Sequence, residues 1–512
     1  MNLTEKDIQT IIESVLKNVE AAIGNEAGAP SQTSSQQPLK MKQLSPEVSQ
    51  TGASSHWTPT SEYGVFDNIE DAITASYDAQ IAFVKQAKLA DRERILSAIR
   101  TAVLKEKEHL AKLVFEETKI GNYNDKIAKH ELSAEKTPGT EDLKTESITG
   151  DDGFTFVEYS PVGLIGAVTP VTNPTETIIN NTISMLAAGN AVVFNVHPAS
   201  KQASAYTVQL INRAIESVGG PANLVTMVKN PTLDTVQVLA DSLKVKMLVG
   251  TGGPGMVKSL LKSGKKVIGA GAGNPPVIVD ETADLQNAAK SIIEGASFDN
   301  NLLCIAEKEV FVLDSVADDL IFQLLDQGAH MLNHSELAQV MDFALEANTN
   351  NQPGGCTFQN RKYHVSKQWI GKDASTILNQ INVNKTNTKL LICEVDVHHP
   401  FVQLEQMMPI LPIVRVKDLD EAIEKAVATE HGNRHTAVMH SNNLDSITRF
   451  AKAIGTTIFV NNGSSLAGVG FGGEGHTTMT IAGPTGEGVT SAKTFTRQRR
   501  VVLAQGSLNI TG

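Results

Sequence analysis

Residues 191–228 read AVVFNVHPASKQASAYTVQLINRAIESVGGPANLVTMV. Ala191–Asn195 is a short apolar run, which predicts a buried strand. Ser200–Ser217 carries its apolar residues at helical spacing, and Leu224–Val228 is a second apolar strand. A strand, a helix and a strand joined by short links read as one crossover unit of a parallel sheet covered on both faces.

The alternation extends both ways. Leu164–Val168 (strand) and Thr175–Ala188 (helix) precede it; Pro231–Ser242 (helix) and Val245–Val249 (strand) follow. In such sheets ligands bind at the carboxyl ends of the strands. A second β/α set lies beyond Cys304. Its predicted strands are Glu309–Leu313, Leu390–Glu394, Ile410–Val416, Thr436–His440 and Thr457–Val460. Its predicted helices are Ala317–Gln327, Ser335–Asn348, Leu419–Thr429 and Leu444–Ile454. Asp67–Glu117 is helical by periodicity, a polar stretch follows it, and Thr494–Leu503 is a late β-rich run.

The first residues form a unit of their own. Ile8, Ile11, Ile12, Val15, Leu16 and Val19 fall on one helical face, with Thr4 and Asp7 as a capping pair. Residues 21–60 are rich in Ser, Gln, Pro, Gly and Ala, which predicts a flexible linker. A short greasy stripe on a tether calls for a partner.

Composition narrows the rest. A chain of 512 residues exceeds one compact domain. The formal net charge is −12, and Arg497-Gln498-Arg499-Arg500 is the one basic block, so no nucleic-acid partner is expected. Three cysteines in this length argue for a reducing compartment rather than a disulfide framework. Met1–Glu20 lacks the features of a signal peptide and no stretch reaches a membrane span, so the expectation is a cytoplasmic protein without a membrane partner.

Three stretches could carry chemistry. KMLVGTGGPGMVKSLL runs strand, glycine turn, helix. Glycines allow close approach of a ligand and a helix N-terminus favours phosphate, but the spacing is not GxGxxG, and a tight structural turn explains it equally. In GLIGAVTPVTNPTETIINN, Asn173 is either an oxyanion donor or a helix cap. In SFDNNLLCIAEKEVFV, Cys304 follows a polar approach and precedes an apolar strand, and is either a nucleophile or inert packing. Cys393, inside LLICEV, fits packing; Cys356, in QPGGCTF, fits either. No metal-ligand pattern is predicted.

Taken together, TPVTNP, the GTGGPG turn, GAGAGNPP, the cysteine of SFDNNLLCIAEKEV and GPTGEGVTSAKTFTRQRR resemble the aldehyde dehydrogenase superfamily. They are most similar to its CoA-acylating branch, the propionaldehyde and acetaldehyde dehydrogenases of bacterial microcompartments. The resemblance implies an α/β aldehyde dehydrogenase-like fold with a Rossmann-like cofactor domain, an α/β catalytic domain and a β oligomerisation flap. It divides the chain into a targeting helix (1–20), a linker (21–60), a cofactor-binding domain (65–148 and 163–272), a catalytic domain (273–485) and an oligomerisation segment (149–162 and 486–512). The targeting helix resembles encapsulation peptides that bind shell proteins, which implies a cytoplasmic enzyme housed in a microcompartment. A homo-oligomer, dimer or tetramer, is also implied.

The resemblance assigns roles as well. Cys304 would attack the aldehyde to give a thiohemiacetal, and oxidation by NAD would leave an acyl thioester. The Cys304 N–H and the Asn173 amide would serve as oxyanion donors. The family places its asparagine where this chain has Thr172, so Thr172 and Asn173 both stay open. Cofactor contacts would come from Thr169, His197, Gly250, Thr251, Gly252 and Glu405. Hydrolytic members activate water with a glutamate whose position falls on Gly269, and Gly269–Asn274 holds no acid. A thiol needs less help than water because it ionises more readily, so coenzyme A is the expected acceptor. Ser200 stands where the family has its ribose-binding acid and Lys201 lies beside it, which keeps NADP as an alternative to NAD. Glu307 reads as half of a structural ion pair. The rival readings are a hydrolytic aldehyde dehydrogenase, a non-catalytic shell-binding scaffold and a Cys–His hydrolase, the last lacking a suitable histidine near Cys304 in sequence.

Overall fold

The computed structural model describes residues 63–347 and 363–510. The N-terminal helix, the linker and Cys356 lie outside them. Two parallel sheets organise the molecule. The first has six strands in the order Val65–Phe66, Val225–Val228, Ala191–Asn195, Leu164–Val168, Val245–Thr251, Lys266–Ala270. The second has seven: His330–Met331, Leu391–Glu394, Ile410–Val416, Glu309–Leu313, Pro276–Val279, Thr436–His440 and Ile458–Asn461. Every neighbouring pair in both is parallel.

The central strands are apolar throughout because helices cover both faces. Leu164–Val168 and Ala191–Asn195 are buried at every position. Burying each Val, Leu or Ile contributes roughly 1.5–3 kcal/mol. Gly166 marks the closest approach: a Cβ there would lie 2.8 Å from Leu239 Cγ, on the covering helix Leu233–Asp241. Val168 pairs with Asn195 on one side and Gly250 on the other. Thr169 and Val196 therefore leave the sheet at the strand ends, where Thr251, paired with Ala270, closes the neighbouring strand.

The two sheets are joined by the glycine-rich segment between Lys266–Ala270 and Pro276–Val279. These two strands and the helix Leu285–Ser297 were not anticipated; glycines and prolines around 269–276 hide the strand pattern. A third sheet is antiparallel, with Gly153–Pro161 between Glu146–Gly150 and Thr496–Leu503. The predicted helix Ser335–Asn348 stops at Ala344. Leu345–Ala347 turns extended and pairs with Tyr363–Val365, where Glu346 meets the His364 ring at 3.0 Å.

The polar stretch before the first long strand holds a helix, Tyr123–Lys136. Asn122 caps it by accepting from the Asn124 and Asp125 amides at 2.9 and 3.3 Å. Its inward face carries Lys126, Lys129, His130 and Ser133, all buried. Apolar periodicity cannot reveal a helix whose buried stripe is ionic.

Candidate active site

The cysteine loop follows Leu285–Ser297. Asp299, Asn300 and Asn301 take φ values of 46°, 55° and 66°, three left-handed residues in succession. Asp and Asn tolerate this region better than other side chains do, and each is tied down. Asp299 accepts from the Asn122 amide at 2.7 Å, from Lys126 Nζ at 3.1 Å and from Lys129 Nζ at 2.5 Å. Asn300 Nδ2 donates to Gly371 O and Asp373 Oδ1, both at 2.9 Å. Asn301 Nδ2 donates to Ala296 O at 2.8 Å and Glu307 O at 3.0 Å. The Lys308 ammonium, wholly buried, donates to Asn301 O at 2.9 Å and also meets its side-chain oxygen. The polar residues ahead of Cys304 thus hold a strained turn in place.

Cys304 and Asn173 line one narrow cavity. Its walls are largely apolar, including Leu132, Phe298, Leu466, Phe471, Met479 and Ile481, with Lys129 also in the lining. The Phe298 and Phe471 rings pack 5.5 Å apart. Thr172 is not in the lining. Lys129 Nζ donates to Asn173 Oδ1 at 2.8 Å. A lysine can only donate, so the Asn173 oxygen faces the lysine. Its amide nitrogen has one long contact, 3.4 Å to Thr172 Oγ1.

Burial, then the charge of Glu405, pushes the Cys304 thiol up to about 12; Lys308 and the Cys304 and Ile305 amides pull the other way. Gly273 sits between the thiol loop and an unexpected histidine. A Cβ at Gly273 would fall 2.5 Å from the Cys304 carbonyl oxygen and 3.1 Å from His435 Cγ. His435 is buried, its Nδ1 lies 2.9 Å from Thr436 Oγ1, and its Nε2 has no partner among the described residues. Burial, then Lys308, lowers it to about 4. The sequence offered no sign of His435, which opens a buried strand far from Cys304. Glu307 is not half of an ion pair: its carboxyl accepts from the Ser465 amide and hydroxyl, both at 2.8 Å, and holds the Ser465–Val469 turn. Burial raises it to about 7. Cys393 is wholly buried in the second sheet, as packing requires.

The other residues singled out from the sequence spread along the sheet edge. Thr169 is buried at the end of its strand, and its hydroxyl has no partner among the described residues. Thr251 Oγ1 lies 3.0 Å from Thr480 Oγ1, and the Gly252 amide donates to Ala270 O at 3.0 Å. Gly252 has φ 152°. Gly250 serves packing: a Cβ there would fall 2.6 Å from Leu260 Cδ1. Gly253 and Gly255 face open space. Glu405 Oε1 accepts from the Gly273 amide at 3.3 Å. His197 is exposed, outside the cavity lining, and caps a short turn by accepting from the Ala199 amide at 3.2 Å. Near it, Glu117 accepts from the Gln202 and Ala203 amides at 2.9 and 2.8 Å. That acid, from a helix distant in sequence, was missed. At Gly269 the amide donates to Thr485 Oγ1 at 3.0 Å, and a Cβ would meet Val257 at 2.6 Å.

A thiol and an amide lining one cavity, with a parallel sheet whose strand-end Thr169 hydroxyl has no partner among the described residues, fit an α/β enzyme of the dehydrogenase type. Residues 62–501 match the model of the aldehyde dehydrogenase family, and the chain belongs to that family. It is 46% identical over 467 residues to the acetaldehyde dehydrogenase (acetylating) EutE of Salmonella typhimurium, covering 91% of this chain and 96% of the relative. The propionaldehyde dehydrogenase of the Clostridium phytofermentans fucose utilisation bacterial microcompartment superposes with a TM-score of 0.82 at 49% identity, covering 87% of this chain and 99% of that one. A Rhodopseudomonas palustris propionaldehyde dehydrogenase, solved with bound CoA and an acylated cysteine, gives 0.83 at 48% identity, over 88% and 99%.

Proposed function

We propose that this chain oxidises a short-chain aldehyde, propionaldehyde or acetaldehyde, with NAD and coenzyme A to the acyl-CoA. The observation that carries the reading is that Cys304 and Asn173 line one cavity, while the crossover Gly269–Asn274 contains no acid. As Cys304 Sγ bonds the carbonyl carbon, the C=O π pair moves onto the substrate oxygen and the thiol proton is lost to solvent water. Negative charge gathers on the substrate oxygen, where Asn173 Nδ2 and the Cys304 amide are the donors. NAD, which Thr169 and Glu405 would help to hold at the strand ends, would supply the acceptor for the hydride that leaves that carbon. The acyl group then rests on Cys304 as a thioester, and the apolar walls exclude water from it. Attack of the CoA thiol on this thioester gives acyl-CoA and returns the Cys304 thiol; we assign His435, packed behind Gly273 with its Nε2 unpartnered among the described residues, to receive the CoA thiol proton.

The residues present suit NAD. The free Thr169 hydroxyl, the open faces of Gly253 and Gly255 and the Glu405 carboxylate lie along the strand ends and the crossover. Glu117 supplies near Lys201 the negative charge that Ser200 lacks, which disfavours the 2′-phosphate of NADP. We assign residues 1–20 to shell-protein binding, and the antiparallel sheet, with Ile148, Val501 and Val502 exposed on it, to a homo-oligomer contact. Deleting residues 1–20 is expected to leave activity intact and abolish co-localisation with shell proteins; retained co-localisation rejects that assignment.

The main test is NADH formation from propionaldehyde and NAD, with and without CoA, for the wild type and Cys304→Ala, with the product identified by mass. Steady turnover is expected only with CoA, yielding propionyl-CoA, and none is expected from the variant. Free propionate as the product would overturn the reading.

A further inference from the structure

Lys129 is the one ionised side chain lining the Cys304 cavity, and the reaction as derived above does not use it. It is 1% exposed, yet four oxygens surround its ammonium. Asp299 Oδ2 lies at 2.5 Å, Asn173 Oδ1 at 2.8 Å, Glu176 Oε1 at 3.1 Å and Thr172 O at 3.5 Å. Asn173 belongs to the turn that follows the first sheet's central strand, and Asp299 belongs to the cysteine loop. One ammonium therefore joins the two elements that must meet for the reaction.

The Asn173 amide has two faces of opposite polarity. Oxygen and nitrogen exchange places by rotation about the last side-chain torsion, which is broad and roughly two-fold. With nitrogen toward the cavity the residue donates to a developing oxyanion; with oxygen there it repels one. The long Thr172 contact is too weak to decide between them. Lys129 decides, because an ammonium has no lone pair to offer a nitrogen donor.

We propose that Lys129 is a positioning residue: it locks Asn173 with its amide nitrogen toward Cys304 and ties that amide to the cysteine loop through Asp299. The proposal rests on the reading of Asn173 as the oxyanion donor, and the test separates the two.

Removing Lys129 alone would strand the buried Glu176 carboxylate, so the variant to make is Lys129→Met with Glu176→Gln; Asp299 keeps Lys126. Losing one oxyanion donor costs about 10²–10³ in kcat, so a fall of about 100-fold is expected, with KM for propionaldehyde nearly unchanged. Adding Asn173→Ala to this pair should lower kcat by no more than about threefold again, because residues acting as a unit are not additive. Alkylation of Cys304 by iodoacetamide, which builds no oxyanion, should stay within about threefold of wild type. Losses that multiply, an alkylation rate that falls in step with kcat, or wild-type kcat in the paired variant overturn the positioning role. Wild-type kcat in Asn173→Ala alone overturns the reading of Asn173 instead. If the paired variant does not fold, Lys129→Gln with Glu176→Gln, which keeps an N–H for Asn173 Oδ1, should retain kcat within about tenfold of wild type; a loss equal to that of Asn173→Ala rejects the proposal.

Discussion

On the Asn173 side of the cavity Lys129 and Glu176 favour each other's charged forms against burial, whereas on the Cys304 side burial presses its groups toward neutrality. Lys126, Lys129, Glu176 and Asp299 are almost wholly buried and bonded to one another. Burial works against their charges, yet Asp299 and Glu176 hold Lys129 above its ordinary value, and Lys129 leads in holding Glu176 at about 2. A few residues away, burial drives Cys304 up to about 12, Glu307 up to about 7 and His435 down to about 4, and lowers Lys308. The difference follows the work each side does. A buried ion pair adds little net stability, but it fixes direction, which an oxyanion donor needs. A nucleophile and its hydrogen-bond acceptor must exchange protons during turnover, and neutral groups can do so.

The sharpest break in this comparison would come from the oriented side. Asn173→Ala is expected to lower kcat by about 10²–10³ with little change in the binding of NAD, followed by NADH formation. A rise in KM with kcat unchanged would mean that Asn173 only binds substrate, and the paired ions would have lost their purpose.

On the neutral side, Glu307 tests whether burial alone sets protonation. Its value near 7 lies above the ordinary 4.5. Between those values the native carboxyl keeps a proton that the unfolded chain has lost, so its contribution to stability falls as pH rises from about 4.5 to about 7 and is constant beyond. The shift corresponds to about 3 kcal/mol. His435 and His440, both lowered to about 4, act with the opposite sign, losing stability as pH falls from 6.5 toward 4. Both are common to wild type and Glu307→Gln and cancel in the difference. That difference in urea midpoint should therefore move in favour of the variant between pH 5 and 7.5; a difference flat with pH would place an ionised carboxylate on Ser465.

His435→Gln sharpens the comparison at the transfer step. The burst of NADH formed in the absence of CoA should be unchanged, and steady turnover with CoA should fall by roughly 10- to 100-fold. Equal slowing of both would assign His435 to the attack of Cys304 on the aldehyde instead.

The same contrast explains what the sequence disclosed. Leu164–Val168, Ala191–Asn195, Glu309–Leu313, Ile410–Val416 and Thr436–His440 are strands with the bounds their apolar runs suggest, because both faces of each sheet are covered. Cys304 and Asn173 were legible through motifs. The helix Tyr123–Lys136 was not, since its buried stripe is Lys126, Lys129 and His130 where a pattern search expects Leu and Val. His435 and Glu117 come to the site from distant segments, and only the packing of Gly273 and the start of the helix Lys201–Ser217 reveals them. Gly250, expected from the resemblance as a cofactor contact, also makes room for Leu260, which its sequence did not signal.

The gentlest probe of the neutral side is the thiol itself. Only a thiolate is alkylated. A thiol held near 12 is a small thiolate fraction at any pH the enzyme meets, and each unit of pH raises that fraction tenfold. The rate of Cys304 alkylation by iodoacetamide in the free enzyme should therefore climb about tenfold per unit from pH 7 to 9, with no plateau below about pH 10. A rate already level with pH from 7 upward would mean that Lys308 and the amides at Cys304 and Ile305 outweigh burial and Glu405. The cysteine would then stand ionised before substrate arrives, and both sides of the cavity would be built on fixed charge.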